Sequence, residues 1–409
     1  MDVAITGVGI ISAIGHDPET FYSNLAAERV KLGRTPWANE PDFENVWVSW
    51  IDDFAPEAWM TPQVVAGSDR FGQYAIAAAV EAVRSAGFEA PPDPMRTATV
   101  LGTAFAGVET ITDSQHGFDT LGAEGISRKL HIQVWPNMAA AQIAQRWRLH
   151  GPLLTVCHAC ASSVDSVGLA ARMISAGQAD YAIACGTEGA RSRMHILAAA
   201  RYGMFAPQPD PEKACCPFDV DRIGVIAGDG AGALFLERAE SARARGATIH
   251  GFIRGYASLS DGYHMSSPEP GGEWEARTMQ MAIDEAALPG GANAIDAVVA
   301  HATATPVGDI AEIRAINRVF GDHAAKLRVT SLKGHIGHTA GASGVMGVIA
   351  GLSSMKHGAL VPTAGTRNVE PEARFHVPLR RPAPGAINGL QVNAFGFGGQ
   401  NASLVVTKN

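Results

Sequence analysis

Cysteine is scarce in this chain, with five residues in 409. That excludes a disulfide framework, because such scaffolds are short and dense in cysteine. Basic charge is also in short supply. Thirty-two Lys and Arg stand against 40 Asp and Glu, for a net charge of −8. No basic surface is on offer to phosphates, which argues against a nucleic-acid binder. No apolar run reaches the roughly 18 residues that a membrane-spanning helix needs. The opening Met-Asp-Val-Ala-Ile has no charged leader and no cleavage site, and it runs straight into a strand pattern. No secretory signal is therefore expected, and the expected location is cytoplasmic.

The composition is otherwise that of a globular protein, 46% hydrophobic and 18% charged. Forty-five glycines and many alanines imply tight turns and closely packed elements. The length allows two or three domains, or one large duplicated one. VAITGVGII reads as a buried strand. Its GVG lacks the third glycine of a dinucleotide loop, since Ser12 stands there. Asp17-Pro18 starts a helix, and Ser68 is expected to cap a long alanine-rich one that stops at Gly87. From there strands and helices alternate to the C-terminus. That alternation argues for parallel α/β sheets. Two similar halves suggest a duplicated unit, divided as 1–250 and 251–409.

The most informative stretch is Leu153 to Gly177, LLTVCHACASSVDSVGLAARMISAG. It opens as a buried strand and ends as a small-residue helix, with Cys160 at the sharp turn between them. A thiol at a helix N-terminus meets free N–H groups and the positive end of the dipole, which should lower its pKa and raise its thiolate fraction. Such a thiolate is a nucleophile toward thioesters. Cys157 and Cys160 are also spaced as a redox CxxC pair, although Cys157 lies before the turn, inside the strand. Adjacent Cys215 and Cys216 with lone Cys185 do not make the two spaced pairs of a zinc site. A buried structural cysteine is the third reading, and this turn alone leaves all three open.

Three further stretches carry reactive residues. His301, in VVAHATATPVGDIAE, follows a buried strand, where α/β sites form. TSLKGHIGHTAGASG puts Lys333, His335 and His338 in one glycine-rich turn. NAFGFGGQN sets glycines beside Phe395 and Phe397, which suits backbone N–H groups brought close to an oxyanion.

With FDVDRIGVIAGDGAGALFLERAE and SDGYHMSSP, these stretches together resemble the elongating β-ketoacyl-acyl-carrier-protein synthases over essentially all of residues 2–408. The resemblance implies a thiolase-like α/β fold, with duplicated mixed βαβ halves in α-β-α-β-α layers. It implies Cys160 as nucleophile and His301 and His338 as catalytic histidines, supported by Lys333 and Glu312 as a charged pair. It assigns the oxyanion donors to the N–H groups of Cys160 and Phe397, with Phe397 as gate. Substrate contacts are implied for Phe105, Thr303, Thr305, Phe395, Asp261 and His264, with Thr303 and Thr305 along the pantetheine arm. The implied reaction joins a Cys-bound acyl chain to a malonyl carrier protein with loss of carbon dioxide, in fatty acid or type II polyketide elongation. No metal or resident cofactor is expected, because the acyl carrier protein brings its own phosphopantetheine. The implied partners are that carrier and either a second copy or a chain-length-factor subunit. A non-enzymatic chain-length-factor role would require loss of the nucleophile, and Cys160 is present.

Several positions depart from the family. His158 stands where a small residue or threonine is usual, so it could alter the thiol or the pocket, or simply pack away from both. Phe105 stands where pocket-lining aliphatic residues often lie, and its ring should shorten or redirect the acyl channel. The stretch TPQVVAGSDR lacks the basic cluster that many relatives present to the acidic carrier, which leaves Arg128, Lys129 and Arg201 as candidate contacts.

Overall fold

The computed structural model describes residues 2–205 and 207–408. Ten principal strands form one twisted sheet. The first five are β1 (Val3–Ser12), β2 (Thr97–Gly102), β3 (Leu153–Val156), β4 (Tyr181–Glu188) and β5 (Gly230–Arg238). The second five are β6 (Gly251–Ser260), β7 (Ala297–Val299), β8 (Arg328–Thr330), β9 (Gly389–Gly396) and β10 (Gln400–Thr407). From the centre outward one half runs β1-β5-β4-β2-β3 and the other β6-β10-β9-β7-β8. Adding five to each label converts the first order into the second. The directions repeat as well: β1, β5 and β4 pair antiparallel, then β4, β2 and β3 pair parallel. The same holds for β6, β10 and β9, and then for β9, β7 and β8. The halves meet where Val3–Ile5 of β1 pairs antiparallel with β6. The sheets are thus mixed, and the wholly parallel arrangement that alternation suggests is confined to the outer three strands of each half.

Six helices matter for the site: α1 (Pro18–Ala26), α2 (Arg70–Ser85), α3 (Ser162–Ser175), α4 (Glu273–Ala286), α5 (Pro306–Phe320) and α6 (Ser343–His357). Asp17 caps α1 as its spacing predicts, accepting from the N–H groups of Glu19 and Thr20. The cap of α2 is Asp69, which accepts from Phe71 N, and not the expected Ser68, whose hydroxyl donates back to Val64 O.

Side chains alternate across each strand, so neighbouring residues feed different cores. Leu101 and Ile183 face α2 on one outer face. Val100, Val299 and Leu404 face a central layer with Val164 and Val167 of α3 and Val345 and Ile349 of α6. Val298, Val329 and Val405 face Met279 of α4 and Ile316 of α5 on the other side. Helix, sheet, helices, sheet and helix therefore lie in five layers. The two inner helices are buried by both half-sheets, and α6 is buried from Ser343 to Met355. This explains the excess of glycine and alanine: a helix enclosed on all sides by closely approaching neighbours has little room for large side chains. Among the described residues no helix is long and apolar enough to cross a membrane.

Candidate active site

The two inner helices deliver the reactive groups. β3 ends at Val156, and the turn before α3 carries Cys160. β8 ends at Thr330, and the turn before α6 carries His338. Equivalent strand ends of the two halves thus face one another, and His338 Nε2 lies 2.9 Å from Cys160 Sγ. Ala159 and Ala340 hold positive φ values of 47° and 40° in these turns. A left-handed alanine is strained, and such strain persists only where the surroundings enforce it.

His301 comes from the end of β7, with its ring 5.3 Å from that of His338 at 78°. Burial pushes the His301 pKa well below its ordinary value, and Lys333 and His338 add to the effect. Burial likewise lowers His338 to about 3, assisted by Lys333. Both rings are neutral near pH 7.

Cys160 does not fit the expected lowered pKa. Burial raises its thiol to about 12, outweighing Lys333 and the backbone N–H groups of Cys160 and Phe397 that favour the charged sulfur. The helix-end effect is present, but desolvation is larger. The group rests as a thiol with a histidine in contact. Cys157 lines the same cavity, and its Sγ lies 3.6 Å from Ala104 O.

Among the described residues Lys333 and Glu312 share no hydrogen bond or ion pair. Glu312 is buried and accepts from His301 N, Ala302 N and Asn393 Nδ2 at 2.9, 2.7 and 3.1 Å. It holds the backbone that carries His301. Among the described residues no hydrogen bond or ion pair reaches the buried Lys333 ammonium, and burial lowers its pKa. The two charges act on one another only through space. His335 stands apart from the site, with its ring nitrogens 2.9 Å from Arg29 O and Pro362 O.

Cys160, His301 and His338 line a cavity of about 510 Å³. Phe105, Thr303, Thr305, Phe395, Asp261 and Phe397 line it too. His264 does not: it is exposed, and its Nδ1 accepts from Ser266 N at 3.2 Å. The ring of Phe105 packs on His195 with centroids 4.1 Å apart. Phe397 meets Tyr202, at 6.4 Å between centroids. Two glycines are required by close approach. A Cβ on Gly396 would lie 3.0 Å from His158 O, and one on Gly399 would lie 2.1 Å from Asp261 Oδ1. Arg128, Lys129 and Arg201 are exposed, and among the described residues none makes an ion pair.

The sulfur and two ring nitrogens lie within 4.8 Å of one another, a donor set that suits a soft divalent ion such as zinc. The unpaired Lys333 ammonium acts on all three and opposes a dication there.

Sequence reasoning missed two groups. Glu188, at the end of β4, is buried and accepts from Ala104 N, Phe105 N and Gly341 N at 2.8, 3.2 and 3.2 Å. It ties the Phe105 turn to the turn that follows His338, and burial raises its pKa to about 7. Its signal was faint: a single acid closing the apolar run YAIACGTE. The second is the chain from His158 Nδ1 to Asp165 Oδ2 (2.6 Å), with Tyr256 donating to Asp165 Oδ1 (2.7 Å). His158 therefore anchors to α3, and it is not among the cavity-lining residues.

Residues 1–242 match the family described as Beta-ketoacyl synthase, N-terminal domain, and residues 250–367 match Beta-ketoacyl synthase, C-terminal domain. Over 407 residues the chain is 33% identical to the 3-oxoacyl-[acyl-carrier-protein] synthase 2 of Staphylococcus aureus (strain COL), covering 99% of this chain and 98% of that protein. A protein of the same description from Rhizobium meliloti (strain 1021) is 34% identical over 430 residues, covering 99% and 98%. The solved structure titled the ishigamide ketosynthase/chain length factor superposes with a TM-score of 0.91 at 31% identity, covering 100% of this chain and 99% of that one.

Proposed function

The chain belongs to the β-ketoacyl synthase family, and on that premise we propose that it condenses a Cys160-bound acyl chain with malonyl-acyl carrier protein to give a 3-oxoacyl product. It is an acyltransferase. The observation that carries the reaction is the 2.9 Å contact between Cys160 and neutral His338 in a cavity shared with neutral His301.

The sulfur attacks the acyl thioester carbonyl as its proton leaves, and His338 Nε2 is the acceptor in contact with it. The tetrahedral oxyanion is held by the N–H groups of Cys160 and Phe397. It collapses to expel the carrier thiolate, which takes up the proton. The malonyl thioester then loses carbon dioxide, and the electron pair of the broken bond becomes an enolate. His301 donates N–H to its oxygen, and so does His338 in the tautomer that carries its proton on Nε2 once the acylated sulfur no longer donates to it, each donor typically contributing about 3 kcal/mol. The enolate carbon attacks the acyl group and expels Cys160 as a thiolate, which takes a proton from solvent to restore the resting thiol. Glu312 and Lys333 act through the histidines: Glu312 fixes the His301 backbone, and the Lys333 charge keeps both rings neutral at rest, so a proton taken by His338 passes on at once to the departing thiolate. The phosphopantetheine arrives on the carrier, so the enzyme needs no cofactor of its own, and Arg128, Lys129 and Arg201 are the candidate carrier contacts. We place the reaction in the cytoplasm.

A second protein chain fits the outer edge. Among the described residues β3 has no neighbour on its far side, and Leu153 and Leu154 on it are each 40% exposed. Open edge strands invite pairing, and exposed apolar side chains there favour a partner. Phe118, Leu121 and Trp135 are exposed in the segment between β2 and β3. A second copy or a chain-length-factor subunit, the latter in type II polyketide elongation, would cover them. The retained Cys160, His301 and His338 argue against a non-enzymatic role.

Mass spectrometry of Cys160 after exposure to a series of defined acyl carrier proteins tests the reading. Acyl adducts on Cys160, followed by a 3-oxoacyl product when malonyl carrier is added, are expected. Acylation of Cys157 with Cys160 spared would refute it.

A further inference from the structure

One residue of the cavity wall has no task in this reaction. Glu275 lies in the first turn of α4, is 4% exposed, and lines the cavity with Cys160, His301 and His338. Its Oε2 is buried without a hydrogen-bond partner, and among the described residues no hydrogen bond or ion pair reaches its side chain. The start of the helix does not serve it. The N–H groups of Gly271 and Glu273 donate instead to the Glu269 carboxylate, at 2.7 and 3.0 Å. Four carboxylates act on Glu275: Glu312 and Asp309 on α5, and Asp261 and Glu269 in the segment before α4. Glu312 is compensated by three donors, and Glu275 by none. Burial and like charge hold its pKa well above the ordinary carboxyl range. A protonated carboxyl is a donor as well as an acceptor. Leaving one buried and unpaired costs stability, so a buried acid facing a cavity is explained by a ligand that completes it.

The cavity wall shows which part of a substrate would do so. The first half of the chain lines it with apolar groups such as Ala104, Phe105, Met204 and Val225, which suit an acyl chain. The second half adds apolar groups such as Val307 and Phe395, and it also supplies Thr303, Thr305 and Glu275, polar groups that suit an arm bearing amides. We propose that Glu275 is a specificity residue whose carboxyl O–H donates a hydrogen bond to an amide carbonyl of the substrate's pantetheine arm. A neutral donor recognises a carbonyl without repelling the malonyl carboxylate, as an ionised acid would.

The inference rests on the condensing-enzyme reading, and its test separates the two. Cys160 acylation is measured with an acyl-pantetheine and with the ethanethiol thioester of the same acyl group, which lacks both amides. Glu275→Ala should raise KM for the pantetheine donor about five- to tenfold with kcat nearly held, and should change the ethanethiol reaction less than about twofold. Glu275→Gln, which keeps a donor, should recover most of that loss. Glu275→Met should melt above wild type, because it removes an unpaired polar group. Equal losses with both donors, no loss with either, or a lower melting point for Glu275→Met would overturn the inference. If wild type takes no acyl group from either donor, the condensing-enzyme reading falls, and this inference falls with it.

Discussion

The two halves of the chain share a strand order and strand directions, yet they put different chemistry at equivalent strand ends. The turn after β3 bears a thiol, and the turn after β8, its counterpart, bears His338. The turn after β2 bears the Phe105 ring, and that after β7 bears His301. β4 ends in the Glu188 carboxylate, and β9 runs into the Phe395–Phe397 loop. Duplication accounts for the geometry, because two similar units packed face to face bring matching strand ends together. The residue types account for the division of labour: the nucleophile and the Phe105 wall come from the first half, and both histidines, Thr303, Thr305 and the Phe395 and Phe397 rings from the second. The scaffold is symmetric and the reaction is not.

The sharpest way to break this division is to remove the nucleophile. Cys160→Ala should lower acyl transfer by at least about a thousandfold, the scale seen when a covalent nucleophile is deleted. Carbon dioxide release from malonyl carrier belongs to the second half, and it should survive. Cys157→Ala should keep most activity. Loss of decarboxylation along with transfer in Cys160→Ala would show that the halves do not act separately.

The next test divides the second half itself. His301→Ala and His338→Ala should each slow malonyl decarboxylation by about 10²–10³, the cost of one lost oxyanion donor. Of the two rings, His338 is the one hydrogen-bonded to the sulfur among the described residues, so His338→Ala and not His301→Ala should also slow single-turnover acylation of Cys160. His335→Ala should show up in the melting curve, since its ring joins Arg29 to Pro362. Neutral rings also imply that decarboxylation stays flat as pH falls from 8 to about 5, because His338 gains a proton only near 3. An inflection near pH 6.5 that His338→Ala abolishes would contradict this.

The wall of the first half gives a smaller effect. Phe105 lines the cavity with its ring packed on His195, so a long saturated chain directed past that wall would have to displace the ring. Overfilling a close-packed site costs about 1–3 kcal/mol, or roughly ten- to a hundredfold in acylation. Phe105→Ala should extend acceptance toward longer chains with little loss on short ones. Acylation rates across a chain-length series decide it. Wild type taking long and short saturated chains equally well would show that Phe105 is no barrier.

What the sequence made legible follows the same division. The strands and inner helices were visible because continuous apolar runs and glycine-alanine helices have few other uses. Cys160, His301 and His338 stood out as reactive types at strand ends. The carboxyl groups were harder. The resemblance implies Glu312 and Lys333 as a charged pair supporting the histidines, and the sequence does not show that backbone N–H groups satisfy Glu312. Glu275 sits in GGEWEAR, where an acid in a first helical turn looks like ordinary solvent-facing charge. The thiol pKa was misjudged because the helix end is local and readable, whereas desolvation depends on which distant segments close over the sulfur.

Glu188 offers the finest test of how the halves are joined. It belongs to the first half by sequence, but it accepts both from the Phe105 turn and from Gly341, beyond His338 in the second. Burial raises its pKa from 4.5 to about 7, even though its backbone and hydroxyl donors favour the charged form. In the unfolded chain the group loses its proton near 4.5, and in the folded chain only near 7. Between those values the folded state holds more protons, so its contribution to stability is full below about 4.5 and is lost as pH rises through about 7. Glu188→Gln cannot titrate. It should flatten the fall in melting temperature between pH 5 and 8 by a few degrees, corresponding to an effect on the order of 1–3 kcal/mol. A residual slope of the same sign should remain, because burial also raises Asp309 to about 7. An amide nitrogen cannot accept, so the side chain of this variant offers one acceptor oxygen to donors that now share two. Acylation and decarboxylation should therefore both fall a few-fold in the variant if Glu188 couples the turns. A fall in acylation alone would assign Glu188 to the first half and leave His338 positioned by its own turn.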